Sequence, residues 1–288
     1  MPPGGIGDAL VCTPAFRALK EHFPDEKIIL YCYSKAHLQV FNDNPHIDSL
    51  RHLSIVSMIR YPFHLFGYLF KSKLISYTEL HFQHVLLYPN IINKSVKEVV
   101  SDIFSISLTN KNIQVVVSKR ENENAIRRLQ PYKNVVLMHV HSRSSSNHHW
   151  PIENWIELVR QLPEYTFIQI GHKNENLVIG AIDWRSTTTL REAFALIKNA
   201  NSFVGVDSSF SHATNAFSTP GVVLFGDSSP VHWGHDNNIN IYKKTPCSPC
   251  YYYLWYHDCV YNHQCMNNIS VEEVKQALVS QMSRSAAR

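Results

Sequence analysis

The stretch Ser202–Gly226, SFVGVDSSFSHATNAFSTPGVVLFG, constrains the fold more than any other part of the chain. Phe203–Val206 is a short apolar run that stops at Asp207-Ser208-Ser209, and apolar residues with helical spacing begin at Phe210, which predicts strand, turn and helix. Thr219-Pro220-Gly221 ends that helix, and Val222–Phe225 predicts a second buried strand. Two such strands joined through a helix form a βαβ unit and imply a parallel sheet. In these sheets ligands bind beyond the carboxyl ends of the strands, and Asp207 falls at one such end.

A helix beginning at Ser208 and Ser209 offers unpaired backbone N–H groups, hydroxyls and the positive end of the helix dipole, a combination that suits phosphate. His212, in the first turn, adds a donor. The same residues also suit a plain N-cap and an ordinary histidine, so the reading rests on the longer string through Gly226-Asp227-Ser228-Ser229-Pro230.

A chain of 288 residues accommodates two domains, and 44% hydrophobic against 17% charged residues places it among globular proteins. A formal charge of +4 is too weak to argue for a nucleic-acid partner, and none is expected; it is compatible with an anionic small molecule. No apolar run reaches the roughly 18 residues of a spanning helix, and Met1-Pro2-Pro3-Gly4-Gly5 lacks the features of a signal peptide. A cytoplasmic location is expected. Ser54–Tyr77 is aromatic, apolar and mildly basic, a candidate for peripheral contact at the inner face of the cytoplasmic membrane, although such a stretch is more often an ordinary core helix, here broken near Pro62.

The chain opens on the Gly-rich turn Gly4-Gly5-Ile6-Gly7-Asp8, followed by a helix whose apolar side carries Leu10, Val11, Ala15, Ala18 and Leu19. Such turns normally follow a strand, so the first strand of the sheet is expected upstream of Met1. Further strands are expected at Lys27–Tyr33, Glu79–Leu87, Ile113–Val117, Val135–Val140 and Thr166–Ile170, with helices at Val96–Phe104, Glu121–Leu129 and Arg191–Lys198. Thr189 and Glu192 form a capping box for the last of these, and Ser270 with Glu273 another for a closing helix over Ser270–Ser280. The domain boundary is placed within Ser118–Lys133, giving domains 1–125 and 126–288.

His141–Trp155, HSRSSSNHHWPIENW, follows a strand and leads into a helix at Trp150-Pro151, which puts this loop beside the ligand crevice of the second domain. Cys247, Cys250, Cys259 and Cys265 form C-x2-C-x8-C-x5-C, a spacing that suits structural zinc or iron in a cytosolic protein, with reduced thiols or disulfides as alternatives. Four sulfur ligands would leave no open position for catalysis.

The string from Asp207 to Pro230, together with GGIGDALVCTPAFRALKEHFPD near the start and the His148-x-Trp150-Pro151 sequence, resembles the bacterial heptosyltransferase family of glycosyltransferase family 9. These are inverting GT-B enzymes that use ADP-heptose in lipopolysaccharide biosynthesis. The resemblance implies an α/β GT-B fold of two Rossmann-like doubly wound domains facing a cleft, here apparently lacking the first strand of the N-terminal domain. It implies transfer of a heptosyl group to a hydroxyl of a lipopolysaccharide core or related glycan, with a lipid-linked or other glycan acceptor. Asp8 matches the general base. Donor contacts are implied at Arg143, Ser144, His148, Glu175, Thr188, Asp207, Ser208, Ser209 and His212, and no cofactor is implied for catalysis. Two departures stand out: Ser209 replaces a glycine, and His148 replaces a lysine or arginine that holds the donor phosphates. A neutral imidazole at 148 would stabilise the leaving group less at neutral pH. Several family members carry a similar cysteine-rich tail, matched through Met266 and Ile269. The rival readings are a nucleotide-sugar epimerase of the same fold and a non-catalytic sugar-nucleotide-binding protein.

Overall fold

The computed structural model describes residues 5–32, 34–52, 93–143, 145–250 and 259–286. The chain divides into two compact units, Met1–Pro89 with Lys97–Val116, and Asn90–Val96 with Val117–Arg288. The expected strand Glu79–Leu87 and the aromatic segment Ser54–Tyr77 lie outside the described residues.

In the first unit, α1 (Ile6–Val11) and α2 (Thr13–His22) follow each other through Cys12. The apolar side predicted from the sequence is buried: Leu10, Val11, Ala15 and Ala18 are all core residues, and Phe16 meets α3 (Lys35–Phe41) edge-on at Phe41, 5.6 Å between ring centroids. Strands β1 (Ile29–Cys32) and β2 (Ser49–His52) pair in parallel, with Ile29 opposite Ser49. Helix α4 is Val96–Ile103.

Ile113–Val117, expected as a strand, pairs with no strand among the described residues. Ile113 and Val115 are buried, as its alternation requires, but the Gln114 N–H donates to the Thr13 hydroxyl at 2.8 Å in place of a ladder partner. Burial alternation and strand pairing are thus separated here, and only the first is written in the sequence.

The second unit is a six-stranded parallel sheet in the order β5-β4-β3-β6-β7-β8, with β3 Val135–His139, β4 Thr166–Gln169, β5 Ile182–Asp183, β6 Ser202–Val206, β7 Gly221–Phe225 and β8 Asn238–Tyr242. Counted from β3, this is the doubly wound order 3-2-1-4-5-6, whose direction reverses between the adjacent strands β3 and β6. β3, β6 and β7 are buried along their whole length, which explains their unbroken apolar runs.

One set of alternate residues, Val136, Met138, Val204, Val206, Val222 and Leu224, packs with α6 (Ile152–Gln161) and the closing helix α11 (Val271–Ala286). Trp155 is fully buried at the centre of this layer. Replacing it with alanine is expected to destabilise this unit by about 3–5 kcal/mol, read from the shift of its denaturant midpoint at unchanged slope.

Helix α5 (Lys119–Leu129) belongs to the second unit, whereas the sequence reading divides the chain at 125/126. It is tied to α7 (Leu190–Asn199) by a bidentate Glu121–Arg191 pair at 2.6 and 2.7 Å and by Asn122–Asn199. The Arg128 guanidinium also stacks 3.9 Å from the Trp184 ring centroid. The Arg191 hydrogen bonds hold the Glu121 carboxyl down at about 2. Thr189 and Glu192 form the expected capping box of α7, and the Ser270 hydroxyl accepts from the Glu273 N–H at the start of α11.

Candidate functional site

The reversal point of the sheet brings together the ends of β3, β6 and β7. β3 ends at His139, β6 runs into Asp207, and helix α8 (Ser209–Phe217) starts immediately after the N-cap Ser208. His139 Nδ1 and the Ser208 hydroxyl lie 3.1 Å apart, so the two central strands are joined by a polar contact where a ligand crevice is expected. On its other side, His139 Nε2 is 3.6 Å from Glu175 Oε1. Glu175 also accepts from the His172 N–H at 2.8 Å, and its backbone carbonyl accepts from Arg185. Burial opposes its charge, but the His139 bond and charge outweigh burial and lower its pKa, so Glu175 is a carboxylate.

Asp207 is buried, with Oδ2 accepting from the Ser228 hydroxyl at 2.6 Å and Oδ1 3.9 Å from His212 Nε2. The Ser208 N–H donates to the Ser211 hydroxyl and the Ser208 side chain takes the Ser211 N–H in return, a capping box that leaves the Ser209 and Phe210 amides without acceptors inside the helix. His212 Nδ1 meets His235 Nε2 at 2.8 Å.

His148 lies in a short 3-10 turn, Ser146–His148, before α6, and forms an ion pair with Asp227, Nε2 to Oδ1 2.9 Å, with both side chains 2% exposed. Gly226 makes this possible, because a Cβ there would run into the Asn147 carbonyl and the Met266 sulfur. Burial pushes His148 down and Asp227 up, yet each partner's charge overrides this. His148 is raised above the ordinary histidine value by Asp227 and, more distantly, Asp207. Asp227 is lowered by His148, helped by the Ser145 hydroxyl. A neighbouring carboxylate thus favours the protonated form of the imidazole at 148.

A cavity of about 370 Å³ opens beside Glu175, floored by Val140, Trp150 and Trp155 and edged by His141, His149 and His263. The His141 and His149 rings lie 4.4 Å apart, and burial lowers both pKa values.

The structure therefore gathers Asp207, Ser208, His212, His148 and Glu175 around one strand reversal. Ser209 is the first residue of α8, Arg143 is exposed on the β3–α6 loop, and Thr188 sits half-buried just before the N-cap Thr189. Ser144 lies outside the described residues. Asp8 belongs to the first unit, where its carboxylate accepts from the Gly5 N–H at 2.7 Å within α1. His139, Asp227, Ser228 and His235 escaped the sequence reading. Three of them follow strand ends or the Phe-Gly turn, and that position was their only signal.

Of the four clustered cysteines, Cys250 and Cys265 are buried, and burial pushes their thiols up to about 12 and about 11. The other cysteines add to each rise, so the four sulfurs are within electrostatic reach of one another. The Cys259 sulfur accepts from the His263 N–H at 3.3 Å. Among the described residues, however, no three histidine, cysteine or carboxylate side chains are close enough to hold a metal ion. Nor is any described helix long and apolar enough to cross a membrane.

Strand order and site together define a doubly wound α/β protein with a helix N-terminus and a buried His148–Asp227 pair beside its strand reversal. The family described as glycosyltransferase family 9 (heptosyltransferase) matches residues 72–259, and the chain belongs to that family. It is a glycosyltransferase. No curated protein sequence matches. Among solved structures, the glycosyl transferase family 9 protein of Veillonella parvula DSM 2008 has a TM-score of 0.76 at 15% identity, covering 98% of this chain and 96% of that one. The ADP-heptose lps heptosyltransferase II of E. coli has a TM-score of 0.73 at 15% identity, covering 99% and 98%. The iron-containing dodecameric glycosyltransferase TibC of enterotoxigenic E. coli H10407 has a TM-score of 0.66 at 14% identity, covering 99% and 78%, and has also been solved with ADP-D-beta-D-heptose. The α/β GT-B fold expected from the sequence is the fold of these neighbours.

Proposed function

We propose that this chain transfers a heptosyl group from ADP-heptose, with inversion, to a hydroxyl of a lipopolysaccharide core or related glycan acceptor in the cytoplasm. The observation that carries this reading is the strand reversal occupied by Asp207, the N-terminus of α8 and the buried His148–Asp227 pair. A diphosphate leaving group needs compensation for the negative charge that develops as its bond to the anomeric carbon breaks. The first-turn amides of α8, His212 and His148, whose protonated form Asp227 favours, supply it, with Arg143 adding charge from the loop. Glu175, a carboxylate beside the cavity, accepts from donor hydroxyls of the ribose.

Asp8 takes the acceptor proton. As a lone pair of the acceptor oxygen bonds to the anomeric carbon, the O–H electron pair stays on that oxygen, the proton passes to the Asp8 carboxylate, and ADP leaves with the electron pair of the broken C–O bond. No step in this scheme runs through a metal.

The four cysteines are proposed to hold structural zinc or iron. Their donor set of four sulfurs fits either metal, and a protein of the same fold is described as iron-containing. Such an ion would cross-link Cys247 and Cys250 to Cys259 and Cys265, holding the segment between them. Metal analysis of the purified protein is expected to find about one ion per chain, lost in Cys250→Ser/Cys265→Ser. Equal metal content in both proteins would remove the cysteines from this role.

Equilibrium binding tests the donor assignment. ADP-heptose is expected to bind more tightly than UDP-glucose or GDP-mannose, with affinity reduced about 10-fold or more in His212→Ala. Equal binding of all three nucleotide sugars would count against an ADP-sugar site.

A further inference from the structure

The cavity of about 370 Å³ in the second unit is walled by the start of α6 and by α10 (Gln264–Asn267), the second of two short helices described after β7, of which α9 (Pro230–Trp233) is the first. Four of its lining residues each carry a buried polar atom without a hydrogen-bond partner: Trp155 Nε1, Glu175 Oε2, His149 Nε2 and His263 Nε2. Trp155 and Glu175 are 0% and 7% exposed. An orphaned buried polar group is costly, and four on the walls of one cavity mark a place that a polar molecule completes.

The other contacts of these residues hold them in position. Glu175 is fixed through Oε1, by the His172 N–H at 2.8 Å and His139 Nε2 at 3.6 Å, which leaves Oε2 over. The Trp155 ring stands edge-on to Trp150 with centroids 4.8 Å apart, and the Trp150 N–H already donates to the Ile269 carbonyl at 2.9 Å. His149 is held by the Ser142 backbone, and His263 is the N-cap of α10 with its own N–H on the Cys259 sulfur.

The chemistry of these atoms selects the occupant. An indole N–H can only donate and a carboxylate oxygen can only accept, so the ligand must present both an acceptor and a donor. An ammonium ion would leave the indole N–H unanswered, and an anion would face the Glu175 carboxylate. A metal ion is not accommodated, because among the described residues no three ligating side chains converge. Hydroxyl groups serve every position, since each donates and accepts and an imidazole nitrogen takes either role. The apolar floor of Val140 and Trp150 matches the C–H face of a ring. The volume lies at the low end of the about 300–1,000 Å³ of small-molecule sites, which suits a single ring.

We infer that this cavity binds one uncharged sugar ring, whose hydroxyls donate to Glu175 Oε2 and accept from the Trp155 indole N–H, with His149 and His263 completing the contacts. Two sources offer this chemistry: the ribose of the donor nucleotide, which rests on the donor reading above, and a sugar residue of a glycan, which does not.

Proton–nitrogen spectra of protein labelled with 15N-tryptophan report the indole N–H groups directly, with the Trp155 signal identified by its loss in Trp155→Phe. That signal is expected to move downfield when the cavity fills, while Trp150, already bonded, serves as the internal reference. A shift with saturating ADP that is absent with saturating 2′,3′-dideoxy-ADP assigns the cavity to the ribose. A shift with methyl heptopyranoside alone assigns it to a glycan sugar. In either case His149→Phe should weaken binding of that probe about 10-fold, and His149→Gln should restore most of it. A Trp155 signal unmoved by ADP and glycoside, a shift with ADP matched by its dideoxy form, or His149→Phe binding like the wild type would overturn the inference and leave water as the occupant. ADP bound in calorimetry while the Trp155 signal stays put would sink the inference alone. A glycoside-induced shift in a protein that binds no ADP would sink the donor reading and leave the sugar site supported.

Discussion

Asp8→Asn is expected to lower kcat by roughly 10²- to 10⁴-fold while leaving ADP-heptose affinity within about 2-fold of the wild type. Asparagine keeps the shape of the side chain and an oxygen that accepts from the Gly5 N–H, so α1 should persist. What it loses is the capacity to take a proton. The carboxylate already serves its own helix in this structure, a role that would make an Asp8 variant destabilised but still active. Asp8→Asn separates the two roles: a normal kcat with lowered stability would assign Asp8 to the helix alone. Steady-state ADP release across acceptor concentrations, with donor binding measured in parallel, reads the difference.

Asp227→Ala should be among the most damaging single changes in the second unit. It strips the counter-charge from a histidine that is 2% exposed, and breaking a buried pair from one side costs about 3–5 kcal/mol. Replacing both partners, as His148→Leu/Asp227→Leu, should recover much of that stability while activity stays low, because the pair is then absent without leaving a buried charge. The pH dependence follows from the two shifts. His148 is raised, so its contribution is complete below the ordinary histidine value of about 6.5 and lost as pH rises through its folded value. Asp227 is lowered, so its contribution is complete above the ordinary aspartate value of about 3.9 and lost as pH falls through its folded value. The pair is thus most stabilising between about pH 4 and 6.5. Chemical denaturation across pH should show this window in the wild type and lose it in the double variant.

The βαβ unit at Ser202–Phe225 could be read directly because every local signal agreed: buried strands gave unbroken apolar runs, Ser208 gave the cap, and the turn before Gly221 closed the helix. The edge strand β8 is not among the expected strands: Asn238 and Asn240 interrupt the continuous apolar run that marks the buried strands. The partners of the site were harder to find for a different reason. His139 ends an apolar strand, and nothing nearby in sequence announces that it will meet Ser208 and Glu175, which arrive from distant segments. The partner of His148 is likewise not announced, because Asp227 is brought close only when Gly226 lets the 3-10 turn pack onto the end of β7. Residue identity carries the kind of chemistry, whereas protonation depends on contacts that the fold creates.

The most direct test of heptosyl transfer is ADP release by the purified protein given ADP-heptose with and without heptose-deficient lipopolysaccharide. The proposed function predicts release that depends on the acceptor, accompanied by a heptose-bearing product of inverted anomeric configuration. ADP release at the same rate without acceptor, or ADP-heptose left intact in the presence of lipopolysaccharide while ADP still binds, would contradict transfer to this class of acceptor.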